Sequence, residues 1–308
     1  MNIKRPTHLV ISIILLFIYS SIAFGQKLQS KERIPEPDHT ITSRILGRDY
    51  QLYISFPKNY STKDSISYSV LYVLDCKFCL PIIRATKIFI ENDIEEFINV
   101  GVNASYVAHR YEDYTTSIST SENEKEEKKR NLPQGSIKSR GAAKLLESLK
   151  IEIIPFVDKN YKTNDDRGIF GYSYAGLFTA HCLVNSDGHF TRFGISSPAL
   201  WWYNKKLLNQ AVTQIKENKT NDLPQTKVFI SIGEKEGPLI VPTMIKYSKY
   251  LEYRNYDNIN LQWQIFEKES DLERYVAHSE MSGTAIKVYI KNKSKLYLFV
   301  TEQQSANC

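Results

Sequence analysis

The chain has 308 residues, 42% hydrophobic and 24% charged, with a formal net charge of +6. The lysines are scattered and no basic-aromatic stripe appears, which argues against a nucleic-acid partner. Four cysteines, Cys76, Cys79, Cys182 and Cys308, include one C-x-x-C and no second, so a zinc site of that type has no support.

Met1–Gly25 reads as a secretory signal. Lys4 and Arg5 make a basic start, Leu9–Phe24 is apolar, and Ala23 and Gly25 supply small residues ahead of Gln26. The apolar run is shorter than the roughly 20 residues a spanning helix needs, so cleavage is expected over an uncleaved anchor. Export without stable membrane insertion follows, to the periplasm or beyond, and the remaining charge is +4 once Lys4 and Arg5 are gone. Residues 26–308 fit one domain with insertions.

Strand-like runs follow. "YQLYISFP" (50–57) alternates as a half-exposed strand does, while "YSVLYVLD" (68–75) and "FINVGVN" (97–103) are nearly continuous and read as buried strands. "RGIFGYS" (167–173), "RFGISS" (192–197), "KVFISIG" (227–233) and "NLQWQIF" (260–266) continue the series. "CKFC" (76–79) follows a strand, as a redox motif would, with a short-loop disulfide as another alternative, but the favoured reading is two small apolar residues packing beside a loop. Helical spacing appears over 139–161, where Pro155 predicts a bend or a boundary between two turns of helix, over 176–185 and over 242–254. Strands alternating with helices predict an α/β fold with a mostly parallel sheet covered on both faces. The stretch 116–139 is polar and charged, and is expected to be a mobile insertion over one face, either a lid or a bare loop. Near the C-terminus, a loop is expected to lead from His278 into a helix, and "LYLFV" to add a strand.

The chemistry centres on "RGIFGYSYAGLF". Ser173 follows an apolar strand and precedes a helix, the setting of a nucleophile elbow. So sharp a turn needs small neighbours, and Gly171, Ala175 and Gly176 supply them; Ala175 stands where G-x-S-x-G has its last glycine. A serine hydroxyl needs a base, and the base needs an orienting acid, in the chain order serine, acid, histidine. His278 is the histidine that comes after the later strands. Glu236, three residues past Gly233, has the favoured spacing for the acid, with Glu234 and Asp271 as alternatives. Oxyanion donors are expected from the backbone N–H of Tyr174 and from the loop after "YSVLYVLD", at Cys76 or Lys77.

These stretches resemble the esterase D-like branch of α/β-hydrolases, which includes ferric-enterobactin esterases, S-formylglutathione hydrolases and feruloyl or acetyl esterases. The resemblance runs from about Ser43 to Tyr289 and is most specific from Leu145 to Asn204. "SPALWW" is similar to the siderophore-esterase subgroup. Two departures stand out: Cys76 replaces the glycine of "LLDG", and extra residues separate Phe266 from His278. The resemblance implies an α/β-hydrolase fold and hydrolysis of a small-molecule carboxylic ester through an acyl-serine, with no metal or organic cofactor. Trp201, Trp202 and Tyr203 are candidates for lining the pocket, with core packing as the alternative. Arg110 is a candidate for steadying an anionic substrate, although pairing with Glu112 or Asp113 is the favoured reading. An acyltransferase on the same scaffold, and a silent ligand-binding relative, are the alternative functions. The sequence does not define an oligomeric state.

Overall fold

The computed structural model describes residues 36–63, 65–77, 84, 94–202, 205, 208–209, 213 and 223–266, with the backbone of 285–291 and 295–301. The signal segment 1–25, Cys79, Tyr203, Asp271 and His278 lie outside the described residues.

An eight-stranded sheet organises the chain. Its strands are β1 (His39–Ser43), β2 (Arg48–Ser55), β3 (Tyr68–Leu74), β4 (Phe97–Ala104), β5 (Thr163–Tyr172), β6 (Arg192–Ser196), β7 (Thr226–Gly233) and β8 (Ile259–Phe266). Their spatial order is β1-β2-β4-β3-β5-β6-β7-β8. β1 and β2 run antiparallel, as do β2 and β4, and every pair from β4 to β8 is parallel. This is the α/β-hydrolase arrangement that the sequence predicts.

The continuous apolar runs became the central strands. All seven residues of β3 are buried, and six of eight in β4. A strand buried on both faces gains about 1.5–3 kcal/mol for each Val or Leu fully removed from water. Edge strand β8 alternates in exposure over its first four residues, as its sequence does.

The helices are α1 (His109–Asp113), α2 (Thr120–Arg130), α3 (Ala142–Ser148), α4 (Ile154–Asn160), α5 (Tyr174–Asn185) and α6 (Ile240–Arg254). α5 packs on β5 and β6, and α6 on β7 and β8. Between α3 and α4, residues Leu149–Ile153 widen into a π-turn, with Ile154 N–H bonded to Leu149 O. Pro155 explains it: its ring collides with the carbonyl four residues back and it has no N–H to donate, so the helix loosens at the boundary the sequence predicts.

Two expectations are corrected, and one strand is new. First, the polar stretch 116–139 contains α2. Ser119 Oγ caps the helix by accepting from Glu122 N–H, and a buried Glu127 carboxylate accepts from Ile137 N–H at 2.8 Å. Capping and ion pairs order a segment that burial alone would not. Second, the helix expected after His278 is a strand, β9 (Ala285–Lys291), paired antiparallel with β10 (Lys295–Thr301), which contains the expected "LYLFV" strand. The new strand, not foreseen, is β1.

Candidate active site

The order of the strands reverses between β3 and β5, and ligands of open α/β sheets bind outside the strands' carboxyl ends at such a point. Two segments meet there: Asp75–Lys77 after β3, and Ser173 after β5.

Ser173 has φ 58° and ψ −115°, outside the regions open to ordinary L-residues. Its own side chain makes no capping bond to the helix that it starts. The strain is held by backbone bonds to the end of β6 and to the segment after it. Ser173 N–H donates to Ser196 O at 3.0 Å, and Ser173 O accepts from Ala199 N–H at 3.1 Å. "SPALWW" therefore clasps the elbow. The small neighbours are a steric necessity. A Cβ on Gly171 would sit 2.2 Å from Ala175 O, and one on Gly176 would sit 2.6 Å from Ser196 O.

Two strands away, the turn after β7 carries Glu236. Its Oε1 accepts from Ser197 Oγ, and from Gly233 N–H at 3.2 Å. Ser197 is itself held in a left-handed conformation (φ 41°), with its N–H bonded to Ser231 O at 2.7 Å. Glu236 is half-buried and tethered, whereas Glu234 is exposed. Ser197, the partner of Glu236, is a candidate site residue that the sequence reading missed. Its signal was a polar residue directly past the end of a parallel strand.

Tyr174, the first residue of α5, leaves its N–H outside the helical ladder at the positive end of the dipole. Opposite it, Cys76 is buried and its thiol is free. Burial, reinforced by the Asp75 charge, pushes the thiol up to about 12, which favours the protonated form at neutral pH. The other cysteine of the 76–79 motif, Cys79, lies outside the described residues.

Two site candidates are revised. Arg110 pairs with neither Glu112 nor Asp113, because Arg48 of β2 takes both. Its partner is Asp75: Nη2 reaches Oδ2 at 2.5 Å, and Nε reaches Oδ2 at 3.0 Å. With its charge so matched, Arg110 is not an open anion receptor. Trp202 is a core residue at 1% exposure, its ring 5.3 Å edge-on from that of Tyr174, so it offers no pocket surface. Trp201 is partly exposed, 6.4 Å from the same ring, and remains a candidate pocket wall. Among the described residues, no group of acidic, histidine or cysteine side chains could hold a metal ion, and no helix is long and apolar enough to cross a membrane.

A mostly parallel sheet with a strained serine at the turn between β5 and α5 defines an α/β-hydrolase. The Esterase family model matches residues 43–248, so the chain belongs to that family. A siderophore enterobactin esterase of Emericella nidulans is 33% identical over 85 residues, which is 26% of this chain and 28% of that relative's length. The BES protein of Bacillus cereus superposes with a TM-score of 0.63 at 26% identity, covering 75% of this chain and 88% of that one. An IroE-like serine hydrolase of Shewanella oneidensis shares the fold, with a TM-score of 0.63 at 19% identity, covering 75% and 73% of the two chains.

Proposed function

We propose that this protein is an exported serine esterase that cleaves small-molecule carboxylic esters through an acyl-Ser173 intermediate. The carrying observation is the backbone of Ser173, held at φ 58° and ψ −115° at the start of α5. Strain of this kind persists only where the surroundings enforce it, and it turns a hydroxyl toward the crevice.

In this reading Ser173 Oγ attacks the ester carbonyl while the imidazole of His278 takes its proton. The N–H groups of Tyr174 and Cys76 receive the developing oxyanion. When the tetrahedral intermediate collapses, the ester C–O bond breaks and the imidazolium protonates the departing alcohol. The same ring then activates water, which releases the acid and regenerates the serine. Glu236 holds the ring in the productive orientation, with its own carboxylate fixed by Ser197 and Gly233. Trp201 supplies part of the acyl or aromatic wall.

The relative named as a siderophore enterobactin esterase supports a siderophore ester as substrate, with acylated carbohydrates as the other class. Residues 1–25 act as the export signal, and 26–308 form the working domain. Protein beginning at Gln26 is expected to release nitrophenol from short acyl esters, and Ser173→Ala to abolish that release. Undiminished turnover in the alanine variant would remove the serine mechanism. A trilactone siderophore and an acetylated oligosaccharide, compared by mass of the products, separate the two substrate classes.

A further inference from the structure

We propose that Arg110 is a positioning residue that holds the two oxyanion donors in register, through Asp75 on one side and Tyr174 on the other. The inference rests on the serine-esterase reading and adds to it the device that sets its oxyanion site.

The Asp75 backbone is left-handed, with φ 49°, a conformation that a residue with a Cβ adopts at a cost. Asp75 immediately precedes Cys76, so its dihedrals aim the Cys76 amide. Two contacts hold it there. Its N–H donates to Tyr114 Oη at 3.2 Å, and its carboxylate takes the fork of the Arg110 guanidinium. The same guanidinium lies 5.3 Å from the centre of the Tyr174 ring, 5.3 Å from that of Tyr111 and 6.0 Å from that of Tyr114. One cation thus touches the residue before one donor and the side chain of the residue that supplies the other.

Arg110 is itself anchored. Its helix is fixed to β2 by Arg48, which bonds Glu112 at 2.8 Å and also reaches Asp113; Tyr50 Oη donates to the second oxygen of Asp113. Side-chain exposure is 13% for Arg110 and 11% for Asp75, so the pair is largely out of water. Burial, the largest single influence, would lower the guanidinium pKa, but the Asp75 charge and hydrogen bonds together with Tyr111 and Tyr114 outweigh it and the net shift is upward, which keeps the cation permanent. A planar fork is required: a lysine would keep the charge and lose both the second contact and the ring stacking.

The test compares the wild-type chain from Gln26 with Arg110→Met and with the double variant Asp75→Asn/Arg110→Met. Three quantities are read: amide exchange at Cys76 and Tyr174, steady-state constants on a neutral nitrophenyl ester, and melting temperature. Removing one partner leaves a buried charge uncompensated, whereas the double variant leaves none and is expected to regain melting temperature. Exchange at both amides should quicken in both variants. The kcat should fall about a hundredfold with KM within about threefold, and the double variant should not recover it. Unchanged exchange, kcat restored together with stability, or a loss confined to KM for anionic esters would each overturn the proposal. If the wild type shows no Ser173-dependent turnover, the serine reading fails, and the exchange data alone decide whether Arg110 positions these amides.

Discussion

Replacing Gly171 by alanine tests the geometry of the elbow. The added Cβ would lie 2.2 Å from Ala175 O, 2.4 Å from Ala175 C and 2.6 Å from Thr179 Oγ1, where ordinary contact begins near 3.4 Å. The two nearest atoms are backbone of the first turn of α5, so no side-chain rotation relieves them. The helix start must move by more than an ångström, and Ser173 moves with it. Overpacking of this kind costs typically about 1–3 kcal/mol, and a rigid backbone neighbour places this case near 3. At about 2–4 °C per kcal/mol for a domain of this size, the melting temperature should fall by roughly 6–12 °C. An ångström of misplacement at the nucleophile should lower kcat/KM by about 10² or more. Gly47→Ala is the control. Gly47 is left-handed at φ 64° with nothing within 4 Å of a Cβ, so it should lose only about 1–2 kcal/mol to backbone strain. Calorimetry and nitrophenyl-ester kinetics read both variants. If Gly171→Ala is as stable and as active as Gly47→Ala, the crowded elbow is not what shapes the site.

Glu236→Gln should lower kcat by about 10³-fold or more by disturbing the imidazole, while Glu234→Gln, altering an exposed carboxylate, should leave it unchanged in the same ester assay. Burial pulls His181 down to about 4, and its Nδ1 accepts from Asn185 Nδ2 at 3.1 Å. Between pH 6.5 and 4 the unfolded chain binds a proton at this histidine that the folded chain refuses, so stability falls as pH drops through that window. The loss should reach about 2 kcal/mol for a partly exposed ring, and His181→Gln should flatten it in urea titrations at pH 7 and pH 4.5. Trp202→Ala should cost about 3–5 kcal/mol as a core truncation, whereas Trp201→Ala should change KM more than melting temperature.

Much of this was legible because the decisive signals are local. "YSVLYVL" and "KVFISI" are largely apolar runs that read as buried strands, and the three small residues around Ser173 admit few other turns. What escaped the sequence depends on distant partners. Arg110 has Glu112 and Asp113 beside it in the chain, yet its partner is Asp75, 35 residues away, because Arg48 from β2 occupies the nearer acids. Composition alone argued for disorder over 116–139. The signal overlooked was Ser119 with Glu122 three residues on, a helix start, followed by Glu126 and Arg130 paired at 3.2 Å and a left-handed Asn131 at the end. β1 is five residues with a single large apolar side chain, Ile41, too short for its period to stand out. For Trp202, burial decided between wall and core, and the local sequence treats the two tryptophans alike.

Fluorophosphonate labelling is the most direct measurement of the central claim, because the probe bonds only to an activated hydroxyl. Protein beginning at Gln26 should take up one adduct per chain, localised by peptide mass to Ser173, and Ser173→Ala should take up none. An adduct on another residue, or none on an otherwise folded chain, would contradict the account.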